Sequence, residues 1–282
     1  MPPRGEPAAT LHVLVNGESF RKGYKLRERD CSARGVALQR AAAASHVQLI
    51  DNLSAPFGLI SVHLYSRTLQ KPPNCTVQSM YEGRIARAHT VRLRNIARES
   101  MLAFFRAVVD ARPGPGDAAL LLRYDVQLKE PARLAQTYLA HAESLIPPFR
   151  IGNHFVPGDP CACLKRSSQC ASWTRVDNRG SNFPVSTRGG WPRVSHPMVT
   201  WAPRALFEVG ANVQLSHPVG ENLLEIVAGE RSRRGLPEIP VHFVLDLYCD
   251  SDTLKVRNPL YLLNTRREST DWACWNRTLP CG

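Results

Sequence analysis

Apolar residues along this chain gather in short runs separated by longer amphipathic stretches. "LHVLVNG", Leu11 to Gly17, is apolar, partly β-branched and ends in a glycine that permits a sharp exit, which predicts a strand. From Asp30 to about Leu53, the residues Ala37, Leu38, Ala41, Ala44, Ser45, Leu49 and Leu53 recur near helical spacing. Asp30 or Ser32 stands where a side-chain oxygen can accept from the first free backbone N–H groups. Pro56 and Gly58 break this run, and "LISVHLY" predicts a second strand. A crossover of this length between two strands favours parallel pairing. Then "KPPNC" predicts a turn and Gln78–Arg112 one or two helices ending at "RPGPGD". "AALLLRYDVQL" predicts a buried strand that turns polar at Arg123, and Pro131 opens a further helix through Leu145.

The rhythm breaks from about residue 146 to 194, where Pro, Gly, Ser, Arg and Cys dominate. A stretch this long without periodicity predicts an insertion in a compact domain. Beyond it, "HPMVTWAP" predicts a strand, "RALFEV" and "GENLLEIVAG" helical pieces, and "PVHFVLDLY" a final buried strand. The alternation predicts an α/β fold, a Rossmann-like layered sandwich with a mainly parallel central sheet and an irregular Cys-containing insertion. Residues 1–10 read as a disordered tail and 11–282 as a single domain, without internal repeats or heptads.

Composition adds less. The chain has 282 residues, 43% hydrophobic and 21% charged, an ordinary globular balance. No stretch approaches about 18 uninterrupted apolar residues. The formal net charge of +12 suits an anionic partner, but Arg outnumbers Lys 30 to 6, and such a bias also arises from coding composition. Eight cysteines and three sequons, at Asn52, Asn74 and Asn276, lean towards the lumen of the secretory pathway. "MPPRGEPAAT" lacks the apolar core of a signal peptide, so a leader or anchor is expected outside this sequence. Cys161, Cys163 and Cys170 with His154 make a possible Cys₃His zinc set, though disulfides within the insertion suit an oxidising lumen better. Cys274 and Cys281 are spaced to close a small loop.

In open α/β sheets ligands sit beyond the carboxyl ends of the strands. Three stretches turn from apolar to polar at such ends: "NGESFR", "RYDVQLK" and "YCDSD". Gly17, Glu18 and Arg21 form a glycine with a cationic neighbour before a helix, a setting that favours a phosphate. There is no GxGxxG fingerprint and no Walker loop, which removes support for a redox dinucleotide or a P-loop NTPase. No Gly-x-Ser-x-Gly elbow supports a serine hydrolase. Arg123 and Asp125, two apart, face the same side of an extended backbone. Either they pair with each other, or Asp125 meets a metal or sugar hydroxyl while Arg123 meets a diphosphate. Asp250 and Asp252 are either a carboxylate pair for Mn²⁺ or Mg²⁺, or a polar turn closing the last strand. A last strand parallel to the first and third would bring them to the same edge as Arg123.

The succession of strands and helices, followed by an acidic motif, resembles the GT-A type of nucleotide-sugar glycosyltransferase over roughly the first 145 residues. Members of that family carry an Asp-x-Asp motif after a central strand, where it holds a divalent metal against the donor diphosphate. Arg123-Tyr124-Asp125 stands in the corresponding place, with Arg where the first Asp would be, and a literal Asp250-Ser251-Asp252 follows much later. The resemblance implies transfer of a sugar from a nucleotide-diphosphate donor to a glycan, protein or lipid acceptor. Gly17, Glu18, Arg21 and Arg123 would then bind the donor, Asp125 would be the candidate catalytic residue, and a divalent metal would sit on Asp250 and Asp252. A competing expectation is a non-catalytic nucleic-acid-binding module using Arg84, Arg87, Arg94 and Arg98 on one face of the second helical region. No recognised nucleic-acid motif accompanies that stripe.

Overall fold

The computed structural model describes residues 9–20, 30–67, 75–81, 83, 85–91, 96–152, 199–207, 230–231, 233–250, 260–263 and 274–275. At its centre is a five-stranded sheet. Strand β1 (Thr10–Gly17) lies between β2 (Leu59–Arg67) and β4 (Ala118–Arg123), both parallel to it. β3 (Ile85–Val91) adds parallel to β2, and β7 (Val199–Pro203) closes the other side antiparallel to β4, giving the order β3-β2-β1-β4-β7. The fold is α/β with a mainly parallel, Rossmann-like sheet.

Helices cover both faces, which explains why β1 and β4 are apolar without alternation. Leu11, Val13 and Val15 share one core with Leu49, Ile50 and Leu53 of α1 (Ala33–Leu53) and with Leu134 and Tyr138 of α3 (Pro131–Ala140). Leu14, Tyr65 and Leu121 face the other way, onto Met101, Phe104, Phe105 and Val108 of α2 (Ile96–Asp110). α1 starts where its sequence signals it. The Ser32 side chain accepts from Gly35 N–H at 3.3 Å, and Asp30 Oδ1 accepts from Ser32 N–H at 3.0 Å. Gly35 is needed there, because a Cβ would collide with the Asp30 carbonyl oxygen. α3 has Pro131 in its first turn but ends at Ala140, short of the expected Leu145.

Three expectations need correction. Gln78–Arg112 is not a helical region: a 3₁₀ turn at Gln78–Tyr81 is followed by β3 and only then by α2. Gly83, at φ 75°, turns the chain out of the 3₁₀ segment, and the open edge of β2 supplies a strand partner that helix-compatible Ala and Arg residues cannot outweigh. Arg87 therefore lies on a strand and Arg98 on α2, while Arg84 and Arg94 lie outside the described residues, so the single basic helical face is not formed. "AALLLRYDVQL" is two strands, not one. The chain turns at Tyr124–Asp125, and β5 (Val126–Leu128) leaves the sheet to pair antiparallel with β9 (Tyr261–Leu263).

The last long strand, β8 (Leu245–Asp250), does not join β1 and β4. It lies parallel to β6 (Phe149–Gly152) and antiparallel to β10 (Cys274–Trp275) in a separate three-stranded sheet. The reason is that β7 already occupies the free edge of β4, from Leu122↔Val199 to Ala118↔Pro203. β6 also gives regular structure to the start of the expected insertion; residues 153–198, with His154, Cys161, Cys163 and Cys170, lie outside the described residues. In the β8–β10 pair Cys274 stands opposite Cys249, whereas Cys281 lies outside the described residues. Cys31 and Cys75 form a disulfide that ties the entry of α1 to the chain before the 3₁₀ turn. Among the described residues no helix is long and apolar enough to cross a membrane.

Candidate functional site

The parallel strands β1, β2, β3 and β4 all end at one edge of the sheet. From β1 the chain leaves through α1 to β2 on one side, while β4 on the other side is reached through α2, which covers the opposite face. β1 and β4 therefore flank a topological switch point, where diverging connections leave a crevice in doubly wound sheets. Asn16 is in register with Arg123 across this junction. Gly17, at φ 107°, adopts a conformation that side chains resist, and the space beside its α-carbon is open. Glu18 follows, half-buried, and the loop then passes through Ser19 to Phe20, both buried.

The β4 side is built around a charge pair. Arg123 donates from Nε to Asp125 Oδ1 at 3.0 Å and from Nη2 to Asp125 Oδ2 at 2.7 Å. The Asp125 side chain is 5% exposed and the Arg123 side chain 17%. A guanidinium has five N–H donors, so this fork leaves three on Arg123 for a ligand. Between them, the Tyr124 N–H donates to the Asn16 carbonyl at 3.0 Å, and Asn16 Nδ2 donates to Ser100 Oγ of α2 at 3.2 Å. The crevice floor is thus fastened to strand and helix.

Behind Asp125, His46 of α1 and Tyr81 of the 3₁₀ turn form a buried polar pair. His46 donates from Nε2 to the Val126 carbonyl at 2.7 Å, since a carbonyl only accepts. Its Nδ1 then accepts from the Tyr81 hydroxyl at 2.8 Å. Burial pushes the His46 imidazolium down to about 4, against the opposing pull of the Val126 carbonyl and the Asp125 charge. Burial also raises the Tyr81 phenol. At neutral pH this is an uncharged support. Gln39, two helical turns before His46, contacts both loops of the crevice.

The structure brings together four residues singled out in the sequence: Gly17, Glu18, Arg123 and Asp125. Arg21 and Asp252 lie outside the described residues, and Asp250 ends β8 in the separate sheet, opposite Gly152 of β6. Both Asp125 oxygens accept from Arg123, an arrangement that suits orientation of the guanidinium and does not fit a carboxylate holding a metal. Among the described residues no group of three or more His, Cys, Asp or Glu side chains could hold a metal ion. Gln39 and His46 went unrecognised in the sequence. Their signal was present: they are polar positions on the apolar stripe that runs through Gly35, Ala42, Leu49 and Leu53.

No family model matches the chain, and no curated protein matches it. Solved structures do show similarity. One is a 4-diphosphocytidyl-2C-methyl-D-erythritol synthase, at 8% identity and a TM-score of 0.39, covering 84% of this chain and 89% of that one. A second, from Desulfovibrio desulfuricans and described as a putative nucleotide-diphospho-sugar transferase, has 11% identity and a TM-score of 0.41 over 88% and 84%. A third is a mannose-1-phosphate geranyltransferase from Thermus thermophilus, at 13% identity and a TM-score of 0.37 over 82% and 69%. These similarities transfer no site residue, and the crevice stands on its own geometry.

Proposed function

We propose that the chain binds a nucleotide-diphosphate sugar at the carboxyl ends of β1 and β4 and transfers the sugar to a glycan, protein or lipid acceptor. The observation that supports this is the convergence of Gly17, Glu18 and the Asp125-anchored Arg123 at the switch point of a parallel sheet. In this reading Gly17, Glu18 and Arg21 line the nucleotide side. Arg123 meets the diphosphate with its remaining donors, and Asp125 lies near the diphosphate or donor sugar. Glycine beside the crevice lets the backbone approach a phosphate closely.

A divalent cation, Mn²⁺ or Mg²⁺, belongs to the same proposal, with Asp250 and Asp252 as its ligands. β8 stands in the separate sheet, so such a cation would offset charge on the leaving diphosphate only where the donor reaches from Arg123 to the end of β8. The proposed compartment is the lumen of the secretory pathway. The Cys31–Cys75 bond and the exposure of Asn52, a sequon residue in the last turn of α1, support it.

A thermal-shift panel of UDP-, GDP- and CMP-sugars, each with and without Mn²⁺, tests the donor site. A true donor stabilises in proportion to RT ln(1 + [L]/Kd), and Arg123→Lys, which keeps the charge but loses the fork, should weaken that response. Asp252→Asn should remove any Mn²⁺-dependent part of it. No response to any donor, together with salt-sensitive RNA or DNA binding, would replace this reading with the nucleic-acid one.

A further inference from the structure

Both lips of the crevice are loops, and a loop keeps a fixed spacing only where something rigid holds it. Among the described residues, one side chain bonds to both lips. Gln39, in the second turn of α1, is 3% exposed. Its Oε1 accepts from the Phe20 N–H at 2.8 Å, and its Nε2 donates to the Tyr124 carbonyl at 2.9 Å. The amide orientation follows from chemistry, because the first partner only donates and the second only accepts. We propose that Gln39 is a positioning residue that sets the separation of the β1 and β4 loops and so governs donor affinity. This rests on the reading of the crevice as the donor site.

Each contact lands at a point where the loop is already held from its other side. The Phe20 carbonyl accepts from Asp30 N–H at 2.7 Å, so Phe20 is bonded through both its backbone groups. Phe20 also has φ 54°, a left-handed conformation that is unfavourable for a residue with a Cβ and persists only when its surroundings hold it. Tyr124 is likewise bonded through both groups, its N–H to Asn16 and its carbonyl to Gln39. It also lies between the two residues of the Arg123–Asp125 fork. Displacing the Tyr124 carbonyl would therefore move the cation proposed to meet the diphosphate.

The choice of glutamine has a chemical reason. Packing alone would favour leucine or methionine on this buried face, since burying an amide is unfavourable unless both its ends are paired. Spanning a donor and an acceptor at once takes an amide, and asparagine is one methylene shorter. Glutamate supplies two acceptors when ionised and repels the Tyr124 carbonyl, but when protonated it again offers one acceptor and one donor.

The experiment compares wild type, Gln39→Met and Gln39→Glu by amide hydrogen exchange and by calorimetric titration with UDP-glucose and GDP-mannose. In Gln39→Met the Phe20 and Tyr124 amides should lose protection together, while those of Leu14 and Leu121 in the sheet keep theirs. Affinity for whichever donor the wild type binds should fall at least tenfold. Gln39→Glu should bind weakly at pH 7.5 and recover both affinity and protection as the pH is lowered towards 5, a rescue that packing alone would not produce. A Gln39→Met protein with both amides labile and wild-type donor affinity would overturn the proposal, as would unchanged protection. Should Gln39→Met fail to fold, absence of any pH-dependent recovery in Gln39→Glu would do the same. Wild type that binds neither probe sinks the donor reading for them, and the exchange result alone then decides whether Gln39 couples the loops.

Discussion

Asp125 and Arg123 are two residues apart, yet neither can be altered alone without leaving a charge in a mostly water-free place. Asp125→Asn would keep the size of the side chain but replace one of its two accepting oxygens with an NH₂ that only donates, leaving the guanidinium largely buried with a single, weaker acceptor. The expected loss is about 2–3 kcal/mol, reduced from the value for a fully buried pair because Arg123 is partly solvated. The double variant Arg123→Met, Asp125→Asn should recover most of it, since both charges are gone. Urea denaturation of wild type, Asp125→Asn, Arg123→Met and the double variant checks this, and additive losses would show that the two side chains act independently. His46 gives a second prediction at this scale. Its proton affinity is held down to about 4 in the folded chain, so the unfolded chain binds a proton first as the medium is acidified. The neutral-state contribution is complete above about pH 6.5 and is lost as pH falls towards 4, roughly 3 kcal/mol in all. His12, lowered by burial despite its bond to Asp117, acts in the same direction. Stability measured from pH 7 to 4.5 should therefore fall steeply in wild type and less steeply in His46→Leu, which has no proton to gain. Parallel curves would mean that His46 is not held neutral.

Elements were legible where a local signal and the tertiary context agreed. β1 and β2 read correctly because continuous apolar runs suit strands covered on both faces. The start of α1 read correctly because Ser32 can cap and Gly35 can pass close to Asp30. Ser32→Ala should cost about 1 kcal/mol through its lost cap, and Gly35→Ala more, because the Asp30 backbone must move. Chemical denaturation separates the two, and equal small losses would show that the entry to α1 yields easily. β3 was not legible: "IARAHTV" carries no strong strand period, and only the open edge of β2 makes it a strand. The departure of β5 and the placing of β8 were hidden for a related reason, since each depends on a partner distant in sequence, β9 for one and β6 for the other. The crevice itself could be read, because Gly17, Glu18, Arg123 and Asp125 follow from strand ends alone. Its support could not, because Gln39 and His46 look like flaws in an apolar stripe until the loops that they bond are in place.

At the scale of the molecule, the first half of the sheet is held by more than packing. The Cys31–Cys75 bond spans a sequence separation of 44 residues, which includes all of α1 and β2, and joins the entry of α1 to the segment whose Tyr81 supports His46. In the chain-entropy model a loop of that length stabilises the folded state by roughly 4 kcal/mol, because the unfolded chain loses that much freedom. The crevice lip at Phe20 is bonded to Asp30, one residue before Cys31, so the same link also restrains that lip. A Cys31→Ser, Cys75→Ser protein should thus unfold at lower denaturant concentration and with a steeper dependence on it, since its unfolded state is less compact. Its melting temperature should drop by several degrees. A reductant should lower the wild-type transition, whereas in the double-serine protein it should act only through other cysteines. Peptide mapping of unreduced protein supplies the independent check, with Cys31 and Cys75 recovered in one linked pair. If both are recovered as free thiols and the two proteins unfold alike, the link contributes nothing, and packing against α1 must hold the 3₁₀ segment by itself.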